Sequence, residues 1–237
     1  MGTAFSVEYM LSVIGEIASA VPVTALITVV AFTAGLIIGL CAALVRMYKV
    51  PVLNQIVIAY TSFMRGTPLL VQLYIAYYGL PIMLKAVNQR FGWSMDVAGI
   101  PAIVFVFTAY ALNTGGYLTE TVRSAIQSVD VGQTDAARSI GMTGWQTLYR
   151  IILPQALLVA LPNLGNTVIA LIKDTSLAFS VTIMEIIGRS RVVGGRSMRY
   201  FEVYVSAALI YWGICIICEI AVGMLERGSK RKRGLEA

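Results

Sequence analysis

From Val21 to Val45 the chain runs for 25 residues without a charged side chain. At ~1.5 Å per residue, a helix of that length exceeds the ~30 Å hydrocarbon core of a bilayer. Runs of the same kind recur at Gly66 to Leu84, Ile100 to Thr119 and Ile151 to Ile172, and Val203 to Leu225 is interrupted only by Glu219. With 58% hydrophobic residues, 13% charged residues and a mean hydropathy of +0.79, a water-soluble domain is excluded. The predicted fold class is all-α, a polytopic membrane protein with five transmembrane helices.

Five crossings put the two termini on opposite sides. The tail carries Arg227, Lys230, Arg231, Lys232 and Arg233, Arg46 and Lys49 close the first span, and no basic residue precedes Arg46. The N-terminus is therefore expected outside and the C-terminus in the cytoplasm, which places 10 basic residues inside against 7 outside, with Arg65 at a span boundary. The chain divides into an external segment (1–20), a transmembrane domain (21–225) and a basic cytoplasmic tail (226–237). Only Glu8 and Glu16 precede the first run, unlike the basic stretch that heads a cleavable leader, so the first span is expected to be retained. The net charge of +6 fits orientation signals and anionic lipid head groups better than nucleic acid.

Most outer basic residues, Arg189, Arg191, Arg196 and Arg199, fall between Lys173 and Phe201. The apolar stretch Leu177 to Ile187 there is too short to cross, and a re-entrant or interfacial helix is expected. Gly35 and Gly39 give the first span a small-residue face suited to close helix packing.

The chain has no histidine, which excludes Ser-His-Asp triads, Cys-His nucleophile pairs and histidine metal sites. Cys41, Cys215 and Cys218 lie in apolar runs, where a thiol packs as a small hydrophobe.

The connection Val129 to Arg150 is long and carries its own helix punctuation. Thr134 is placed to cap a short helix beginning Asp135-Ala136-Ala137, and Gly141 to end it. Thr143 and Gln146 have capping-box spacing and start a second turn through Trp145 and Leu148 toward Pro154. The expected shape is helix, break, helix: a small rigid elbow that either connects two spans or passes force to a soluble partner.

This loop resembles the EAA loop of ATP-binding-cassette importer permeases, with Asp135, Ala136, Ala137, Gly141, Ile151, Leu153 and Pro154 at the signature positions and aspartate in place of glutamate. The resemblance extends to Arg65-Gly66-Thr67-Pro68-Leu69-Leu70-Val71-Gln72, to Gly132-Gln133 and to Leu171-Ile172-Lys173-Asp174-Thr175-Ser176-Leu177, covering residues 20 to 225. It is similar to the polar amino acid branch, the histidine, glutamine and cystine permeases. The resemblance implies the type I importer permease fold, with cytoplasmic coupling helices at 129–154, in a bacterial cytoplasmic membrane. It also implies a pair of permease chains, identical or related, two separate ATPase subunits and an extracytoplasmic binding protein. No G-x-x-x-x-G-K-[ST] phosphate loop occurs in the chain, so no cofactor is expected on it, and ATP with magnesium would be held by the partner ATPase.

Asp174, Thr175 and Ser176, with Asn166 on the fourth span, are expected along the substrate pathway, because polar groups at that depth usually face a cavity. A Lys173 to Asp174 pairing is the structural alternative, and Asn163 and Asn166 could equally hold helices together. Arg65 and Glu120 fall at similar predicted depths and are expected to pair. Tyr74, Tyr77 and Tyr78 suit an interfacial belt. The scarcity of carboxylates along Leu161 to Ile172 favours a neutral or zwitterionic amino acid, and the texture of the loop leans toward cystine. The rival reading is an ATP-independent secondary transporter or channel, which predicts internal repeats that the sequence lacks.

Overall fold

In a computed structural model, which describes residues 5–231, the chain is all helical: no strand occurs among the described residues. Five segments are long and apolar enough to cross a membrane: Val21–Met47, Leu69–Phe91, Ala102–Gln127, Gly144–Val181 and Tyr200–Gly228. The five expected crossings are therefore present. The basic residues of the tail beyond Arg227 lie outside the described side chains.

Two helices have no counterpart in the reading of apolar runs. Helix α1 (Val7–Ala18) is capped by Ser6, whose hydroxyl accepts the Tyr9 N–H at 3.2 Å. Of its buried residues Met10, Val13 and Ile17, the last two pack into a cluster with Ile186, Val193, Val203 and Ala207. After α2 (Val21–Met47) the chain turns into α3 (Leu53–Gly66), which ends where Thr67 and Pro68 are both extended. A proline disfavours helix in the residue before it, so the second crossing starts at Leu69 and not at Gly66. It consists of α4 (Leu69–Tyr74), a wide π-type turn (Ile75–Gly79) and α5 (Leu80–Phe91).

Helix α6 (Ala102–Gln127) is the centre of the bundle. A Cβ on Gly35 would meet Thr114 and Gly115, and one on Gly39 would meet Leu118 and Thr119. Four residues along α2 thus correspond to four along α6, and the two helices run in the same direction. That is the relation required of a first and a third crossing. Backbones approach this closely because Gly35 and Gly39 of α2 present no side chains to α6.

The connection after α6 holds α7 (Val131–Ser139) and α8 (Gly144–Thr147), followed by a wide turn (Leu148–Ile152), α9 (Leu153–Asp174) and a 3-10 turn (Thr175–Val181). Helix α10 (Ile186–Ser197) and the long α11 (Tyr200–Arg231) complete the chain. The segment Leu177 to Ile187 forms no helix of its own: it is divided between the 3-10 turn, a short loop and the first residues of α10. Gly165 of α9 abuts Val222 of α11, whereas Lys173 near the end of α9 and Ser176 in the 3-10 turn after it share a cavity with Tyr204, Ala207 and Tyr211, earlier on α11. These two helices are antiparallel.

Candidate functional site

The elbow between α6 and α9 forms as two helical pieces, but its first piece begins earlier than the sequence suggests. Asp130, not Thr134, is the N-cap: its carboxylate accepts the Gly132 N–H at 2.7 Å, and its carbonyl accepts Gln133 N–H at 3.1 Å. Aspartate is at least as good a cap as threonine and comes first in the chain. Asp135 is therefore an exposed residue inside α7, not a first residue. Gly141 ends the helix at φ +80, where a β-carbon would be strained, and the N–H groups of Gly141 and Met142 close onto Arg138 and Ala137 carbonyls. The expected capping box is complete: Thr143 N–H donates to Gln146 Oε1 at 2.9 Å, and Gln146 N–H donates to Thr143 Oγ1 at 3.3 Å.

The elbow is fastened to the membrane helices on both sides. Leu148 and Ile152 are buried with Ala125 and Ile126 of α6 and with Ala156 and Ala160 of α9, and Leu153 packs on the same cluster. Ile151 is half-buried, and Pro154 occupies the first turn of α9, where its missing N–H is harmless. Of the signature residues, Ala137 faces inward at 4% exposure, while Asp135, Ala136 and Gly141 face out. They share that outer surface with Ile140 at 77% and Trp145 at 68% exposure, and with exposed Val131 and Tyr149. A loop otherwise rich in polar residues thus presents several large apolar side chains to its surroundings. Ile140 and Tyr149 were not singled out from sequence, although large apolar residues in a polar connection are a signal of a contact surface.

Arg65 and Glu120 do not pair. Glu120 accepts from Arg46 on one oxygen and from Arg123 Nε and Nη2 on the other, at 2.9 and 2.7 Å. Because α2 and α6 are parallel, Arg46 at the end of α2 arrives beside Glu120. Helix α3 instead carries Arg65 to the level of Tyr117, with its guanidinium carbon 5.8 Å from the ring centroid.

The motif Arg65 to Gln72 has a structural use that the sequence did not reveal. Gln72 Nε2 donates to the Met64 and Thr67 carbonyls and to Thr67 Oγ1 at 2.8–3.1 Å, and its oxygen accepts from Asn113 Nδ2 at 2.9 Å. The side chain occupies carbonyls freed by the break between α3 and α4, which lipid could not solvate. Glu185 plays the same part for α10. It is fully buried and accepts the Ile187 and Gly188 N–H groups at 2.9 and 2.8 Å, while the Tyr211 hydroxyl donates to it at 2.8 Å. Burial pushes this carboxyl above its usual range, and those three hydrogen bonds pull in the opposite direction.

The expected pathway residues separate into two groups. Thr175 is fully buried and its hydroxyl donates to the Ile172 carbonyl at 2.6 Å, so its polar group is used within the fold. Asn166, Lys173 and Asp174 are exposed, and Ser176 is half-exposed. The Asp174 carbonyl accepts from Tyr110, but Lys173 and Asp174 form no ion pair. Lys173 and Ser176 open onto a cavity of about 580 Å³ between α9 and α11, whose walls include Tyr204, Tyr211, Trp212 and Glu219. Tyr74 and Tyr78 are exposed, and Tyr77 packs edge-on against Phe105. Cys215 and Cys218 are free thiols.

Residues 35–231 match the model of a family described as the binding-protein-dependent transport system inner membrane component. The chain is 36% identical over 233 residues to the L-cystine transport system permease protein TcyL of Bacillus subtilis, covering 98% of this chain and 95% of that one. It is 38% identical to the probable amino-acid permease protein YxeN of the same organism, over 94% of this chain and 96% of the relative. A solved structure described as an amino acid ABC transporter with histidines superposes with a TM-score of 0.81 at 31% identity, covering 95% of this chain and 99% of that one. The elbow and the five crossings on which it is mounted therefore belong to a member of the inner membrane components of binding-protein-dependent transport systems.

Proposed function

We propose that the chain forms the translocation pathway of an ATP-driven importer for a polar, zwitterionic amino acid, cystine or glutamine, and is driven through its elbow by separate ATPase subunits. The observation that carries this reading is the mounting of the elbow. A capped, two-piece unit exposes Asp135, Ala136, Ile140, Gly141 and Trp145 on one side and buries Leu148 and Ile152 against the inner ends of α6 and α9 on the other. Movement of a partner seated on the outer side is then transmitted to two membrane helices, one of which bears the exposed Asn166, Lys173 and Asp174. ATP and magnesium reside on the partner, whose nucleotide state biases two arrangements of the bundle. The N-terminus lies outside, an external binding protein delivers the solute, and a second permease chain completes the pathway. The relatives' names support the amino acid class.

The test is uptake into proteoliposomes containing the chain, its co-purified ATPase and its binding protein, with ATP on the elbow side. Radiolabelled cystine or glutamine should accumulate only with ATP. Replacing Trp145 and Ile140 by aspartate should lower uptake at least ten-fold, and cysteine at Ala136 should crosslink to the ATPase. Uptake that survives ATP depletion would sink the reading in favour of an ATP-independent transporter, and so would an elbow that never crosslinks.

A further inference from the structure

Between α2, α6 and α9 a groove of about 250 Å³ runs up from the elbow, with Leu36, Leu40, Val122, Leu153, Ala160 and Leu164 in its walls and no polar side chain among them. Eleven positions separate Leu153 from Leu164 on the α9 wall, about 16 Å of helix. That is half of a ~30 Å hydrocarbon core, the depth of one leaflet. Leu40 and Leu157 on the walls are exposed, so the fold leaves the groove open.

At its elbow end the groove meets a second cavity, of about 430 Å³. Ile126 lines both, and Leu148 and Ile152 of the second cavity belong to the same packed cluster as Ala156 and Ala160 of the first. Here the lining changes character: Tyr48, Gln127, Thr134 and Arg138 bring hydrogen-bond donors, and no carboxylate lines the space. Asp130, between the lining residues Val129 and Val131, is engaged in capping α7. The Gln127 oxygen accepts from Arg123 at 2.7 Å, which leaves its amide nitrogen to donate. Arg46 and Arg123 share Glu120, whereas the Arg138 guanidinium has no ion-pair or hydrogen-bond partner among the described residues.

A dry slot one leaflet deep that ends in donors and an uncompensated cation matches a lipid with an anionic headgroup. We propose that an anionic glycerophospholipid, phosphatidylglycerol in charge and shape, lays an acyl chain in the α2–α6–α9 groove and its phosphate on Arg138, with Thr134 and Gln127 as further donors. The planar guanidinium offers a phosphate two parallel hydrogen bonds, and basic groups at the cytoplasmic ends of membrane helices attract such headgroups. A helix from a second permease chain fits less well. About 16 Å of a helix ~10 Å across takes about 1,250 Å³, five times the groove. Helix α11, which has no buried residue from Ala208 to Gly228, offers such a partner a broader face. Because Arg138 belongs to α7 and the groove to α2, α6 and α9, the lipid ties the elbow to the helices it moves. The inner leaflet follows from the cytoplasmic placement of the elbow, and the site is independent of the solute carried.

The test is native mass spectrometry of the permease–ATPase complex titrated in detergent with phosphatidylglycerol or phosphatidylethanolamine. Wild type should bind phosphatidylglycerol about ten-fold more tightly. Arg138→Gln should bring the two lipids level, whereas Arg150→Gln, an exposed cation of the same elbow that lines neither cavity, should leave the preference within about two-fold. Equal losses from the two variants mean diffuse attraction to a basic surface and overturn the site, as does a wild type without preference. Leu157→Trp fills the groove from its exposed wall and should weaken both lipids alike; no effect on either overturns the acyl-chain assignment. Co-purification of the ATPase reports that each variant is assembled. Wild type alone supplies an independent readout: phosphatidylglycerol with a diazirine in its acyl chain should label residues 36–40, 122–126 or 153–164, and labelling confined to other segments overturns the proposal. Cysteines at Leu40 and Leu157 that crosslink to a second permease chain would show protein in the groove and overturn it too. If the lipid results fail while ATP on the elbow side still drives uptake, the importer reading stands and only the lipid site is lost.

Discussion

Substituting Gly39 by alanine tests the close packing of α2 on α6 with one atom. The new Cβ would lie 2.8 Å from Leu118 Cβ, 2.9 Å from the Leu118 carbonyl carbon and 3.0 Å from the Thr119 nitrogen. Two of these three are backbone atoms that no rotamer change can move, so the helices must separate. Overpacking of this kind costs about 1–3 kcal/mol, against a gain of about 1 kcal/mol when alanine replaces glycine in a helix. The net loss is about 0–2 kcal/mol. Gly213 supplies the control: it lies inside α11 with nothing within 4 Å of a built Cβ, so Gly213→Ala takes the helix gain alone. The two variants should therefore differ by about 1–3 kcal/mol. At roughly 2–4 °C per kcal/mol for a chain of this size, that is roughly 2–12 °C in Tm. Thermal unfolding of both proteins side by side in one detergent reads the difference directly. If Gly39→Ala melts at or above Gly213→Ala, the parallel contact described for α2 and α6 is wrong.

Glu120→Gln should cost about 1–2 kcal/mol, a partly screened loss because Glu120 and its two arginines are 20–30% exposed, whereas Arg65→Gln should cost under about 1 kcal/mol. Melting curves in which the Arg65 variant is the more damaged would restore the pairing expected from sequence. For Glu185 the sign follows from its raised pKa: between about 4.5, its ordinary value, and the higher native value, the native state binds the proton more tightly than the unfolded chain. Wild-type stability should fall relative to Glu185→Gln as pH rises through that window. A relative rise, read from paired melts at pH 4 to 8, would contradict burial as the dominant influence on this carboxyl.

The five crossings were legible because length without charge is a one-dimensional property, and hydrocarbon thickness sets its threshold. Helices α1 and α3 fell below that threshold: Glu8 and Glu16 interrupt the first, which buries one face, and Lys49 and Arg65 bound a short uncharged stretch around the second, which buries only Thr61. The same omission explains the failed Arg65 to Glu120 pairing, since depth counted along the sequence ignores a helix that carries Arg65 sideways to Tyr117. In the elbow, Gly141 and the Thr143–Gln146 box were readable because they act within a few residues, yet Asp130 displaced Thr134 as cap for the same local reason. What no local rule could supply was the use of the polar residues in the apolar spans. Gln72 meets Asn113 across 41 positions and Tyr211 meets Glu185 across 26, and in both cases the side chains serve backbone that a break has left open. Thr175 likewise turns to its own backbone. Asn166, Lys173 and Glu219 belong to the same class by sequence but find no partner among the described residues. Lipid cannot solvate such groups, so a polar side chain in these helices is assigned to structure or to solute by whether the folded chain satisfies it, and only the second kind should alter recognition without altering stability.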